Sequence, residues 1–259
     1  MTGHITLQPW SAQPEHHGIY RVSVQHGGKL NAMSRSMWLQ LKTVFTELSR
    51  RSDLRCVVVQ GEGEAFCAGG DIAEYPGFRF EVDALAHFHE AEVWGGLQAM
   101  LDCPVPLIAA IRGACMGAGV EMASCCDLRL AAVDAKFGAP IAKLGFPMAP
   151  RELELVGREL GSMLARRMLL EAAVFNAAEM TQQGFIGSVV DAAQLEAEVQ
   201  RTAERVARLS PQAARLNKQA LRAIAAGGAQ AVTQPYAYAD SREHREGIAA
   251  FLEKRTAVF

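Results

Sequence analysis

The chain has 259 residues, 50% of them hydrophobic and 21% charged, which excludes disordered and fibrous classes and suits one large domain or one domain with a small appendage. Lysine and arginine number 26 against 28 acidic residues, a formal charge of −2. No basic stripe is interleaved with aromatic residues, so the sequence offers no electrostatic footprint for nucleic acid.

Met1 to Trp10 carries neither a basic head nor an apolar segment, and no apolar run approaches the ~18–20 residues of a membrane span. The expectation is a cytoplasmic protein with no membrane partner. Alternation from Tyr20 to Val24 predicts a strand, closed by a turn at Gly27-Gly28. Ser34 is placed to cap a helix whose core stripe is Met37, Leu41, Val44 and Leu48. Leu54 to Gln60, with the run Cys56-Val57-Val58-Val59, predicts a buried strand ending at Gly61. A glycine-rich loop follows, then a helical pattern from about Val82 to Leu101, a second buried strand from Pro106 to Ile111, and a glycine loop from Gly113 to Gly119 that opens a short helix. Strand, glycine loop, helix thus occurs twice, which predicts a layered α/β architecture whose strands deliver loops to one edge.

After about Asn176 the chain turns helical. Leu195, Val199, Val206 and Leu209 form a stripe, Ser210-Pro211 caps a further helix, and Ala213 to Ala225 is rich in helix formers. The expected division is an α/β core over 1–195 and a helical region over 196–259, whose stripes call for an apolar partner that another subunit can supply. The six cysteines sit mostly in apolar runs without CxxC pairs, as buried free thiols of a reducing compartment do.

Two glycine segments can carry chemistry. In Phe66-Cys67-Ala68-Gly69-Gly70-Asp71 the paired glycines can turn backbone N–H groups toward a ligand with no Cβ in the way. In Gly113 to Gly119, small residues precede a helix and expose its first, unpartnered N–H groups, a place for developing negative charge. Glu121 follows Ala118 by three positions and leans back toward the same spot. A first-turn glutamate often only complements the helix dipole, but this one lies among Val120, Met122, Ala123 and Cys125 rather than on a solvated face. Neither loop fits the dinucleotide fingerprint, because Phe66 and Met122 stand where its third glycine belongs, and there is no Walker A lysine.

Leu30-Asn31-Ala32-Met33, Phe66 to Ile72, Gly113 to Glu121 with Asp127-Leu128-Arg129, Phe137-Gly138-Ala139-Pro140, Leu144-Gly145 and Glu246 to Arg255 together resemble the crotonase superfamily of enoyl-CoA hydratases and isomerases, over nearly the whole chain. The resemblance implies a spiral of ββα units with a helical C-terminal trimerisation region, assembled as a homotrimer or a dimer of trimers. It also implies an acyl-CoA thioester substrate whose carbonyl oxygen, becoming an enolate, is held by the amides of Gly70 and Ala118. Glu121 falls on one of the family's two catalytic carboxylates. Backbone around Leu30 to Ala32 and from Ala68 through Asp71 to Ile72 is implied for adenine and pantetheine, and Lys29 for a phosphate. Phe251 and Lys254, three apart on the expected last helix, match a family pair that reaches a neighbouring subunit's adenine and 3′-phosphate. No metal and no separate cofactor is implied, because coenzyme A arrives as part of the substrate.

The sequence departs from the family at Ile141, which follows Pro140 where hydratases carry the second carboxylate and can neither give nor take a proton. One carboxylate can still shuttle a proton between two carbons, which is isomerisation, or activate water. Glu152 or Arg151, in the first turn of a helix opened by Pro150, is a candidate replacement, as catalyst or as anchor for an acidic acyl tail. His87 and His89 cannot share a metal on a regular helix, though one of them can line a pocket mouth. The expected activity is hydration or isomerisation of an enoyl-CoA. Decarboxylation, thioester hydrolysis and acyl-CoA binding without turnover are the alternatives.

Overall fold

A computed structural model describes residues 2–11, 13 and 16–259. Strands β1 (His4–Pro9), β2 (Ile19–Gln25), β3 (Cys56–Gly61), β4 (Leu107–Ile111), β5 (Ala114–Met116), β6 (Leu128–Ala132), β7 (Lys136–Gly138), β8 (Val174–Asn176) and β9 (Ser188–Val190) form two sheets. The larger has six strands in the order β1-β2-β3-β4-β6-β9, and the smaller has three, β5-β7-β8. Apart from the antiparallel pair β1–β2, the larger sheet is parallel, while β5–β7 is parallel and β7–β8 antiparallel.

The helices are α1 (Arg35–Leu48), α2 (Val82–His87), α3 (Trp94–Leu101), α4 (Ala118–Ser124), α5 (Pro150–Leu160), α6 (Ser162–Leu170), α7 (Ala177–Gln182), α8 (Leu195–Ala207), α9 (Pro211–Gly227) and α10 (Arg242–Leu252). As expected, Ser34 caps α1 by accepting the Met37 amide, and the buried stripe is Met37, Trp38, Leu41, Phe45 and Leu48. Phe45, at the i+4 position from Leu41, is buried, and Val44, about 100° away around the helix, is only partly buried against the same core. The helix expected from Val82 to Leu101 is continuous but holds one π-helical turn, Phe88–Val93, between α2 and α3.

Both faces of the large sheet are covered, which is why β3 reads as unbroken apolar sequence. Val57, Val59, Leu107, Ala109 and Ile111 face a core shared with α1, α3 and α4. Cys56, Val58, Ile108 and Ala110 face a second cluster closed by Leu195, Val199 and Ala203 of α8. Each side chain of this size taken fully out of water stabilises the fold by about 1.5–3 kcal/mol. All six cysteines are free and buried within these layers. β1 was not expected, although its alternation (His4-Ile5-Thr6-Leu7) is the pattern of a half-buried edge strand.

The chain beyond α8 packs less tightly. Lys218 is the buried residue of α9, with its ammonium donating to Val105 O at 2.6 Å and paired with Asp127 at 2.7 Å, while Leu221, Ile248, Phe251 and Leu252 stay exposed. A groove of about 480 Å³ lies between α9 and α10, lined by Leu216, Tyr238, Ile248 and Phe259. No described helix is long and apolar enough to cross a membrane.

Candidate active site

The two glycine segments run side by side. Cys67 N donates to Ala114 O at 2.9 Å and Met116 N to Cys67 O at 2.8 Å, a parallel bridge that pairs Cys67 with Cys115. Three residues on in each segment stand Gly70 and Ala118, which line one cavity. Gly117, at φ 47°, turns the second segment into α4 and donates its own amide to Gly138 O at 2.8 Å. Ala118 therefore opens the helix, where an N–H has no intrahelical acceptor. Among the described residues, no protein acceptor takes the N–H of Gly70 or of Ala118. Gly119 fixes the approach of helix to strand, since a Cβ there would lie 2.7 Å from Cys67 O.

A third loop braces the first. Leu30 and Asn31 adopt left-handed backbone, at φ 46° and 61°, and Leu30 O accepts the Ala68 amide at 2.9 Å. Met33 N donates to Gly69 O and Asp71 N to Met33 O. The buried Asn31 side chain accepts from His26 N and donates to Glu62 O and Ala65 O at 2.8 and 2.7 Å. Lys29 reaches the same corner and pairs with the buried Asp71 at 2.5 Å. Thus Lys29, Leu30, Ala32, Ala68, Asp71 and Ile72 are gathered at one rim, with Leu30 and Ile72 exposed.

Gly70, Ala118 and Glu121 line one cavity of about 330 Å³, together with Ala68, Ile72, Ile141 and Glu152. Burial, and after it the negative charge of Glu152, pushes the Glu121 carboxyl from 4.5 up to about 8, against the opposing pull of Arg79. The same enclosure carries the Tyr75 phenol up to about 12. Burial thus favours the protonated form of Glu121, which shares the cavity with the two free amides. Such an arrangement can stabilise a developing oxyanion and deliver or remove a proton next to it.

Opposite the amides, the wall is made of side chains. Tyr75, Phe78, Phe88 and Phe146 meet edge-on or tilted, with Tyr75 central at 5.8–6.2 Å from the other three. The Arg79 guanidinium lies over Phe146 at 3.8 Å and Tyr75 at 4.5 Å, and burial lowers its pKa. Arg79 approaches His89 Nε2 at 3.3 Å, and His89 Nδ1 lies 3.1 Å from Glu152 Oε1. The Tyr75 hydroxyl stands so close to Gly70 that a Cβ there would meet it at 2.2 Å.

Not every expected residue joins this site. Arg151 lies outside this cavity: it pairs with Glu90 at 3.2 Å and lines a separate surface cleft with Trp94 and Gln98. It precedes Glu152 by one position, and adjacent positions on a helix point about 100° apart. Phe251 is exposed near the end of α10, away from the cavity. Lys254 is not on that helix, which ends at Leu252, and its own backbone is left-handed at φ 56°. Tyr75 and Arg79 were not foreseen. They come from the loop after Asp71, which has no periodicity to mark a facing side, and only their aromatic and cationic character in a loop near the glycine pair hinted at them.

The sequence pattern of the enoyl-CoA hydratase/isomerase family matches residues 15–259. A probable enoyl-CoA hydratase of Mycobacterium tuberculosis is 32% identical over 235 residues, 89% of this chain and 90% of its own. The 2,3-dehydroadipyl-CoA hydratase of Escherichia coli is likewise 32% identical, over 88% and 90% of the two chains. Among solved structures, an enoyl-CoA hydratase/carnithine racemase of Magnetospirillum magneticum superimposes with a TM-score of 0.89 at 33% identity, covering 94% of this chain and 92% of that one. An enoyl-CoA hydratase of Bacillus anthracis gives 0.88 at 27% identity, covering 98% of each.

Proposed function

Because the chain belongs to the enoyl-CoA hydratase/isomerase family and has the crotonase fold, we propose that it converts an enoyl-CoA thioester through an enolate. The amides of Gly70 and Ala118 hold the thioester oxygen, and Glu121 is the acid/base at the adjoining carbon. The observation that carries this reading is the pair of amides without a protein acceptor, Gly70 and Ala118, on the wall of the cavity that also holds Glu121. Fixed donors favour the enolate over the ground-state carbonyl, and one of them is typically worth about 2.7–4 kcal/mol.

The rim of Lys29, Leu30, Ala32, Ala68, Asp71 and Ile72 receives the coenzyme A portion, and no cofactor beyond that carried by the substrate is required. The exposed apolar residues of α9 and α10 suit a homotrimer or dimer of trimers, in which Phe251 and Lys254 reach a neighbour's nucleotide. Isomerisation stays in view as a second reading, because Ile141 lines the cavity and supplies no proton.

Two measurements on the same protein test the enolate. Loss of enoyl absorbance reports water addition, and deuterium uptake at C2 of a saturated acyl-CoA reports enolate formation alone. Glu121→Gln is expected to lower both by about 10²–10⁴-fold. Undiminished rates in that variant remove Glu121 from the chemistry, and a wild-type protein that binds CoA thioesters without either signal is a binder, not an enzyme.

A further inference from the structure

The geometry points to Glu152 as the second proton-transfer carboxylate of this site, aimed by His89 and Arg79; the inference rests on the enolate reading above. Glu152 is 1% exposed, and only one of its oxygens is accounted for. Oε1 lies 3.1 Å from His89 Nδ1, whereas the buried Oε2 has no hydrogen-bond partner among the described residues. A buried carboxylate oxygen left bare is costly. It persists where something that enters the cavity supplies the donor, and Glu152 lines the same cavity as Glu121, Gly70 and Ala118.

Arg79 sets the direction of the relay. A guanidinium has donors only, so at 3.3 Å it donates to His89 Nε2, which must then be the acceptor nitrogen. The ring proton is thereby on Nδ1 and is donated to Glu152 Oε1. Both ring nitrogens are occupied, and the stacking of Arg79 on Phe146 and Tyr75 holds the cation in place. His89 and Arg79 are positioning residues. They fix the rotamer of Glu152 beside the cavity, and they touch no reacting atom themselves.

The addition of water then balances with two carboxyl groups. Glu152 acts as the base and Glu121 as the acid. The Glu152 carboxylate takes one proton of the water as the water oxygen bonds to C3. The C2=C3 electron pair moves to form the enolate, with its charge on the thioester oxygen at Gly70 and Ala118. Glu121 gives its proton to C2 as the carbonyl returns, and one proton passes from Glu152 back to Glu121 to reset the site. The charged and titratable groups that act on or feel Glu121 are Glu152, Arg79, Tyr75, Cys67 and Cys125. Glu152 thus supplies, from the first turn of α5, a second carboxylate to a site in which Ile141 offers none.

The test uses the full-length protein, short- and medium-chain trans-2-enoyl-CoA for hydration, and the matching saturated acyl-CoA for C2 deuterium exchange. Glu152→Gln is expected to lower kcat for hydration about 100-fold, with KM within about threefold, while C2 exchange stays within about threefold of wild type. Glu152→Asp should recover part of the hydration rate. His89→Asn, whose amide can still donate to Glu152, should retain more kcat than His89→Phe. Where Glu152→Gln fails to fold, the His89 pair decides: equal rates in the two overturn the proposal. Hydration near the wild-type rate in Glu152→Gln, or equal loss of hydration and exchange, also overturns it, and leaves the enolate reading intact if Glu121→Gln still abolishes both. Absence of both signals in the wild-type protein overturns the two readings together.

Discussion

The cavity has two walls of different construction. One is backbone: the amides of Gly70 and Ala118, set by a parallel bridge and three braced loops. The other is side chain: Tyr75, Arg79, His89 and Glu152, drawn from three separate segments. The backbone wall depends on what is absent at its glycines, and the side-chain wall on which groups happen to meet. The first tolerates many residue identities and few added atoms; the second tolerates neither a change of charge nor a lost donor.

Adding one carbon should hurt the backbone wall most. Gly119→Ala places a Cβ 2.7 Å from Cys67 O and 3.2 Å from Cys67 Cβ, which parts the strand from α4 and misplaces the Ala118 amide. Steady-state turnover of an enoyl-CoA should fall about 10²–10³-fold, the loss expected for one oxyanion donor; a rate near wild type would show that the two segments do not act as a unit. Next in size is the brace. Asn31→Ala strips three hydrogen bonds and leaves His26 N, Glu62 O and Ala65 O without their partner. Denaturant unfolding should show a loss of about 2–4 kcal/mol, with the m-value unchanged.

Titration probes the side-chain wall. The folded protein binds the Glu121 proton up to about pH 8, and the ordinary value is 4.5. The folded state therefore holds more protons than the unfolded chain between these limits, and Glu121 makes stability fall as pH rises through that window. Glu121→Gln should flatten this slope in thermal unfolding across the window. If Glu121 enters as the acid, kcat for hydration falls as pH rises through about 8; a rate that climbs there instead makes it the base. The smallest effect belongs to Arg151→Ala, which lies outside the cavity. Its kcat and KM should stay within about threefold, and a larger change would extend the wall beyond Glu152.

Legibility in the sequence follows the same division. Strands β2, β3 and β4, α1 with its Ser34 cap, and the two glycine segments were readable because each is written within a dozen residues, as periodicity or as a positive-φ requirement, whereas β1 and the short strands β5 to β9 were not read. Gly70, Ala118 and Glu121, each named from a local motif, line one cavity. Arg79 and Tyr75 carried no such local signal, and which of Arg151 and Glu152 faces inward depends on the entry angle of α5, set by tertiary packing. His89 was harder still. Its direction depends on the π-helical turn, for which no residue pattern exists in a helix read at 3.6 residues per turn.

That turn has a genetic corollary. A π-helical segment amounts to one surplus residue lodged in an α-helix, here between Phe88 and Val93. Removing a single codon from this stretch would rewind it and rotate the preceding residues by about 100° relative to α3, carrying the imidazole off the carboxylate while the oxyanion-facing loops kept their shape. One in-frame deletion is thus a short mutational path between a site whose second acid is held by an imidazole and a site in which it is not, so the reaction performed can diverge among descendants that share every glycine.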